Sequence, residues 1–321
     1  MGKVAFLFAG QGAQHPGMGV ALAAASPTAR AVFEVADSLR PRTFDQCRAA
    51  TKEELSLTAN TQPCVFAVDL ACARALQERG VEPDMAAGFS LGEVAALTFA
   101  GAFGDQAGFG LVCRRAELMA EAASARPGAM RAVVKLDAAQ VEELAREAAA
   151  ATGGDCWPVN YNSPMQTAVA GSPAACEKLD ELVRSAGGRS MPITVSGAFH
   201  SPYMEPAASG LKAFMRQGCL PRETRVPVYA NSTACPYPAD PEASAALLSG
   251  QVASPVRWVE TLRAMEAAGA DAFVELGPGT TLSGLVRRTL GDARTYHVET
   301  PEELDAVADE LLGGKGSSNG R

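Results

Sequence analysis

The first clear pattern along the chain is VAFLFA, an unbroken apolar run at Val4–Ala9 closed by Gly10. A run of that length ending at glycine predicts a buried strand. A glycine-rich loop, GQGAQHPGMG, follows it. Apolar positions then recur at helical spacing over residues 20–39 and over Gln62–Arg79, and Gly80 stands where a helix C-cap is expected. Asp84–Gly88 is a short strand-like segment, and Glu93–Ala100 has helical composition. Residues 129–195 form a unit of their own. AMRAVVKL predicts a strand, Asp137 caps a helix to about Ala151, and CWPVNYN and QTAVAG predict two strands around Ser163-Pro164. Ser172-Pro173 then opens a helix that ends at Gly187-Gly188, and RSMPITV predicts a last strand. The order β-α-β-β-α-β is that of a ferredoxin-like subdomain. Beyond it the pattern predicts a helix, a strand near Val226–Ala230, a helix around Val256–Ala268 and a strand at Ala272–Leu276 closed by GPG.

The segment joining Asp84–Gly88 to Glu93–Ala100 is Gly88-Phe89-Ser90-Leu91-Gly92, a G-x-S-x-G pattern. Strand, glycine-bounded turn and helix are the setting of a nucleophile elbow. Such a turn exposes a serine Oγ above the sheet and aims the next residue's N–H at a developing oxyanion. A serine hydroxyl still needs a base to take its proton. Three histidines are available, His15, His200 and His297. Their positions in the chain do not choose among them.

Composition narrows the function classes. The net charge is −8, and no Lys/Arg cluster of the kind that grips phosphates stands out. The histidines lie far apart and the eight cysteines contain no C-x-x-C pair, so no metal site is expected. MGKVAFLF is too short for a secretory leader or a membrane span, and Phe6 breaks the myristoylation pattern. A cytoplasmic protein is expected. The closing GGKGSSNGR, from residue 313, reads as a flexible tail.

FAGQGAQ (8–14), GFSLGE (88–93), RRAELM (114–119), NYNSP (160–164), GAFHS (197–201), QVASPVRW (251–258) and ELGPG (275–279) occur in that order. Together they resemble the malonyl-CoA:acyl-carrier-protein transacylase family, whose fold also supplies polyketide synthase acyltransferase domains. The resemblance runs from Val4 to about Val298. It implies an α/β-hydrolase-like catalytic domain with a parallel sheet, made of residues 1–128 and 196–312, with a ferredoxin-like subdomain inserted at 129–195. It implies Ser90 as nucleophile and His200 as general base. It implies an oxyanion hole made by the amides of Gln11 and Leu91, and a backbone carbonyl of Gln251 orienting His200. Arg115 matches the arginine that pairs with the malonyl carboxylate. A guanidinium fork suits that task, and on a helix Arg114 and Arg115 point about 100° apart, so only one faces the pocket. Phe199 matches the large residue before the histidine in malonyl-type members. Asn162, with Asn160, stands where the cleft meets the subdomain, a position equally served by a structural turn role.

The implied activity is ping-pong transfer of a malonyl group from malonyl-CoA to the pantetheine thiol of an acyl carrier protein, in fatty-acid or polyketide biosynthesis. Malonyl-CoA is then a substrate, and no metal or bound cofactor is used. Phe89 departs from the family, which most often has histidine there. Packing beneath the elbow and tuning of the pocket are both open readings of it. A stand-alone polyketide acyltransferase, using another acyl group or transferring acyl chains between carrier proteins, is a close alternative. An esterase is a weaker rival, because its acidic residue usually lies between serine and histidine in the chain. A dinucleotide-binding loop fails for want of a third glycine in GQGAQH.

Overall fold

The computed structural model describes residues 2–195 and 197–316. Nine strands form two sheets. In chain order they are β1 (Lys3–Phe8), β2 (Met85–Gly88), β3 (Ala129–Val134), β4 (Cys156–Ser163), β5 (Gln166–Gly171), β6 (Arg189–Pro192), β7 (Val228–Tyr229), β8 (Ala270–Leu276) and β9 (Arg294–Val298). The larger sheet has the order β7-β2-β1-β8-β9, and all its pairs are parallel. β1 is central because both of its faces are covered, as parallel strands require. Phe6 and Phe8 turn to one core with Phe99 and Val94, while Ala5 and Leu7 turn to the other with Trp258 and Phe273. Asp84 fixes the start of this pairing: its carboxylate accepts the Val4 N–H at 2.8 Å, and its own N–H donates to the Val4 carbonyl at 2.8 Å.

The smaller sheet has the order β4-β5-β3-β6 and is antiparallel throughout. With the helices Ala138–Thr152 and Pro173–Ser185 it makes the ferredoxin-like unit, around its own core of Val133, Val141, Val169, Leu179 and Val183. Asp137 caps the first of these helices in a capping box with Gln140. Ser172 caps the second, with Pro173 in its first turn.

Several elements differ from the sequence pattern. The stretch 20–39 is two helices, Val20–Ala25 and Pro27–Leu39, because Ser26 is extended and caps the second one. The helix predicted from Gln62 begins a turn earlier, at Thr58. RSMPITV is a strand only over Arg189–Pro192, with one further bond from the Ile193 N–H to the Met130 carbonyl at 3.0 Å. A closing helix, Pro301–Gly316, with Leu304, Val307, Ala308 and Leu311 buried, reaches into the stretch expected as a tail from residue 313. Residues 317–321 of that tail lie outside the described residues. The helices Thr43–Ala49, Lys52–Ser56 and Pro241–Gln251, and the strand β9, were not legible in the pattern.

In an open parallel sheet, ligands collect outside the carboxyl ends of the strands, where the strand order reverses. Here the chain leaves β1 towards β2 on one side and returns to β8 on the other. Phe8 and Gly88 are paired at the ends of β1 and β2, so the loops carrying Gln11 and Ser90 emerge side by side. The helix Gly92–Phe99 comes within contact of that edge only because residue 92 has no side chain. A Cβ there would lie 2.3 Å from the Phe8 carbonyl oxygen and 2.5 Å from that of Ala9. Gly92→Ala is therefore expected to destabilise the fold by about 2 kcal/mol or more. Gly110→Ala, in a helix where a Cβ meets nothing within 4 Å, is expected to be neutral or slightly stabilising. Urea-unfolding midpoints of the two variants check the contrast.

Candidate active site

Ser90 stands at the turn between β2 and the helix Gly92–Phe99 with φ of 56°, a left-handed conformation that costs a non-glycine residue about 1–3 kcal/mol. The surroundings hold it there. A Cβ on Gly88 would lie 1.9 Å from the Gly92 carbonyl carbon, so both flanking glycines are needed for the turn to close. The Phe89 N–H donates to the Phe8 carbonyl at 3.0 Å, and the Ser90 N–H donates to Asn231 Oδ1 at 2.7 Å.

His200 reaches the same point from 110 residues away. Its Nε2 lies 2.7 Å from Ser90 Oγ. Its Nδ1 lies 3.0 Å from the Gln251 carbonyl oxygen and 3.2 Å from that of Ser254. Carbonyl oxygens only accept, so Nδ1 carries the proton and Nε2 is left to accept from the serine hydroxyl. His200 itself has φ of 60°, and its N–H donates to the Val252 carbonyl at 3.0 Å. Burial, and then the positive charge of Arg115, push the imidazole down to about 4. It is thus neutral, and able to take a proton, through the neutral pH range.

Arg115 lies 1 % exposed in the helix Asp105–Ala125. Its Nη1 donates to Gln62 Oε1 at 2.8 Å, and its Nη2 donates to Gln251 Oε1 at 2.9 Å and to Ser90 Oγ at 3.1 Å. Nε is buried with no partner among the described residues. Burial lowers its pKa to about 10, which still leaves it charged at neutral pH. Arg114 points outward and pairs with Glu117 at 2.8 Å.

Gln251 ties these parts together. Beyond the bonds above, its Nε2 donates to the Ser90 carbonyl at 2.7 Å and to Glu93 Oε2 at 2.9 Å. Glu93 is fully buried and takes a further hydrogen bond from the Tyr237 hydroxyl. Burial raises the Glu93 carboxyl to about 7, against the lowering effects of Tyr237, Gln251, Asn231 and Arg115.

The cleft above Ser90 is lined by Gln11, Phe89, Met119, Asn162, Phe199 and Leu285 among others. Phe89 packs edge-on against Trp258, with ring centroids 5.2 Å apart, and also faces the cleft. Asn160 and Asn162 each bury an Oδ1 that no described residue satisfies. Gln11 is in the loop after β1, and Leu91 follows Ser90 with its side chain in the core. Among the described residues, no acceptor takes the amide N–H of Gln11 or of Leu91.

Ser90, His200, Gln11, Leu91, Arg115, Gln251, Phe199 and Asn162 therefore lie together at one place. His15 and His297 do not. His15 pairs with Glu299 at 2.6 Å, and His297 lies between Glu303 and the Gly277 carbonyl. Sequence reasoning missed Gln62, Asn231 and Tyr237, and it assigned no role to Glu93 or Ser254 although the GFSLGE and QVASPVRW motifs contain them. Among the described residues no three His, Cys, Asp or Glu side chains could share a metal ion, and no helix is long and apolar enough to cross a membrane.

With only three histidines in the chain, the ring signals are separable by NMR. His200 is expected to stay neutral as the pH falls and to protonate only near 4. Arg115→Met is expected to move that midpoint upward but not to 6.5, because burial is the larger cause. A His200 midpoint at 6.5 in both proteins would contradict this account.

Residues 5–304 match the acyl transferase domain family. The malonyl CoA-acyl carrier protein transacylase of Bacillus subtilis is 36% identical over 313 residues, covering 97% of this chain and 98% of that protein. The crystal structure of the Clostridium perfringens malonyl CoA-acyl carrier protein transacylase superposes with a TM-score of 0.93 at 31% identity, covering 99% of this chain and all of that one. A malonyl-transacylase solved in complex with a type II polyketide synthase acyl-carrier protein has a TM-score of 0.91 at 33% identity, over 96% of this chain and 99% of that one. The site, the fold and the full-length similarity agree, and the chain belongs to the acyl transferase family as a relative of the malonyl CoA-acyl carrier protein transacylases.

Proposed function

We propose that the protein transfers a malonyl group from malonyl-CoA to the pantetheine thiol of an acyl carrier protein, through an ester on Ser90. The observation that carries this reading is the buried Arg115 guanidinium, 3.1 Å from the Ser90 hydroxyl. A free malonyl carboxylate needs a cation beside the reacting carbonyl, and the planar fork offers it paired hydrogen bonds.

In the first step His200 Nε2 takes the serine proton as Oγ attacks the thioester carbonyl. The amides of Gln11 and Leu91 stabilise the oxyanion. Collapse of the tetrahedral species breaks the C–S bond, and His200 returns the proton to the departing CoA thiolate. In the second step the carrier's pantetheine thiol gives its proton to His200 and its sulfur attacks the acyl ester; collapse breaks the Oγ–C bond, and His200 returns the proton to the departing Ser90 Oγ. The Gln251 carbonyl keeps the imidazole in the required tautomer throughout. Asn162 donates and accepts along the acyl-thioester arm. Phe199 limits the width of the acyl site and so disfavours an α-methyl branch. Phe89 lines the pocket floor and makes it more apolar without taking part in bond-making. The chemistry asks for no metal or bound redox cofactor, and the cytoplasm is its setting. Residues 1–128 with 196–312 act as the catalytic body, and 129–195 as a subdomain inserted in it. The similarity to a transacylase crystallised with a type II polyketide carrier favours one second reading, a carrier and acyl group belonging to a polyketide pathway. A panel of acyl-CoAs scored by transfer to carriers of both kinds separates the two.

Two expected outcomes test the assignment. Ser90→Ala is expected to fold and to show no malonyl adduct by intact mass, while His200→Ala slows adduct formation by roughly 10²–10⁴-fold in stopped mass-spectrometric time courses. A labelled acyl group on the Ser90→Ala protein would remove Ser90 from the mechanism. Arg115→Ala is expected to lose malonyl transfer and to keep or gain acetyl transfer, a change in relative barrier of about 1.5–3 kcal/mol. An unchanged malonyl-to-acetyl ratio would take Arg115 out of acyl selection.

A further inference from the structure

Asn231 lies just beyond β7 and is fully buried. All four of its polar groups are engaged. Its N–H donates to Glu93 Oε2 at 3.3 Å, and its carbonyl accepts the Arg257 N–H at 2.8 Å. Its carboxamide is spent on the elbow: Oδ1 accepts the Ser90 N–H at 2.7 Å, and Nδ2 donates to the Gly88 carbonyl at 2.7 Å. The partners fix the orientation of this amide, because an N–H needs an oxygen and a carbonyl needs an NH₂. One side chain thus bridges the residue two before the turn and the serine itself. The turn it bridges holds a non-glycine residue at φ of 56°. A conformation of that kind persists only where its surroundings over-determine it.

We propose that Asn231 is a positioning residue for acyl transfer, clamping the strained turn so that Ser90 Oγ stays aligned with His200 and the Leu91 amide stays aimed at the oxyanion. This rests on the reading of Ser90 as the nucleophile. Asn231 does not touch the acyl group. Loosening the clamp lets the 89–90 peptide rotate, which shifts Oγ away from the 2.7 Å approach to His200 Nε2. Arg115 stands on a different helix and keeps its partner Gln62, so capture of the substrate carboxylate is unaffected. The expected signature is therefore a loss in kcat with little change in KM.

The test uses the full-length protein, malonyl-CoA, and pre-steady-state mass spectrometry of the Ser90 adduct. Asn231→Ala is expected to slow acylation by about tenfold to about 100-fold, with KM for malonyl-CoA within about twofold of wild type. Asn231→Asp is a near-isostere that keeps the acceptor and regains a donor only when its carboxyl is protonated. Its rate relative to wild type, corrected for folded fraction by circular dichroism, is expected to rise as the pH is lowered from about 8 to about 6. That pH response keeps the test open if the alanine variant does not fold. A wild-type acylation rate in the folded Asn231→Ala protein, a wild-type rate in the Asn231→Asp protein at about pH 8, or a ratio for Asn231→Asp that is flat with pH, would overturn the clamp. Absence of any Ser90 adduct in the wild-type protein would instead overturn the functional reading itself.

Discussion

The candidate active site is organised around a positive charge buried in the core. Taking a guanidinium out of water is costly, and the fold offsets the cost without giving Arg115 a carboxylate of its own. Its hydrogen-bond acceptors are the neutral amides of Gln62 and Gln251 and the hydroxyl of Ser90. The nearest buried acid, Glu93, is reached only through the Gln251 side chain. A direct ion pair would consume the charge. Neutral partners support it and leave it able to attract an anionic group. The same charge, added to burial, keeps His200 neutral and ready to act as a base.

The second constraint is geometric. A strained turn at Ser90 and a helix packed directly on the strand edge are possible only where Gly88 and Gly92 leave room. The register of β1 against β2 then places the Gln11 loop beside the serine, and the carbonyls of Gln251 and Ser254 fix the imidazole from the opposite side. No acidic third member is needed to orient the ring, since two carbonyl acceptors define the tautomer as surely as a carboxylate. Phe89 is accommodated in this arrangement by Trp258, which receives its ring edge-on while its other side faces the cleft.

Much of this was legible in the chain. The apolar run of β1, the Asp137 and Ser172 caps and the glycine-bounded serine each follow from local rules, because strand burial, capping and tight turns depend on residues a few positions apart. The ordered motifs then named Ser90, His200, Arg115 and Gln251. The misses share one cause. Ser26 splits a helix by an extended conformation inside an apolar pattern, and Pro301–Gly316 is held as a helix by burial of Leu304, Val307 and Leu311 despite its Gly-Gly end.

The chain alone specifies the chemical groups and the local turn that presents one of them. Which polar atoms meet is settled only by folding. Gln62, Asn231 and Tyr237 carry no local signature, since Gln and Asn side chains are ordinarily found at the surface and Tyr is found in either place, and Ser254 contributes a backbone carbonyl that no side-chain pattern marks. They become part of the site because the parallel sheet brings segments separated by more than a hundred residues to one strand edge. There, most buried donors and acceptors pair within the protein, while Arg115 Nε and the Oδ1 atoms of Asn160 and Asn162 stay without a partner among the described residues.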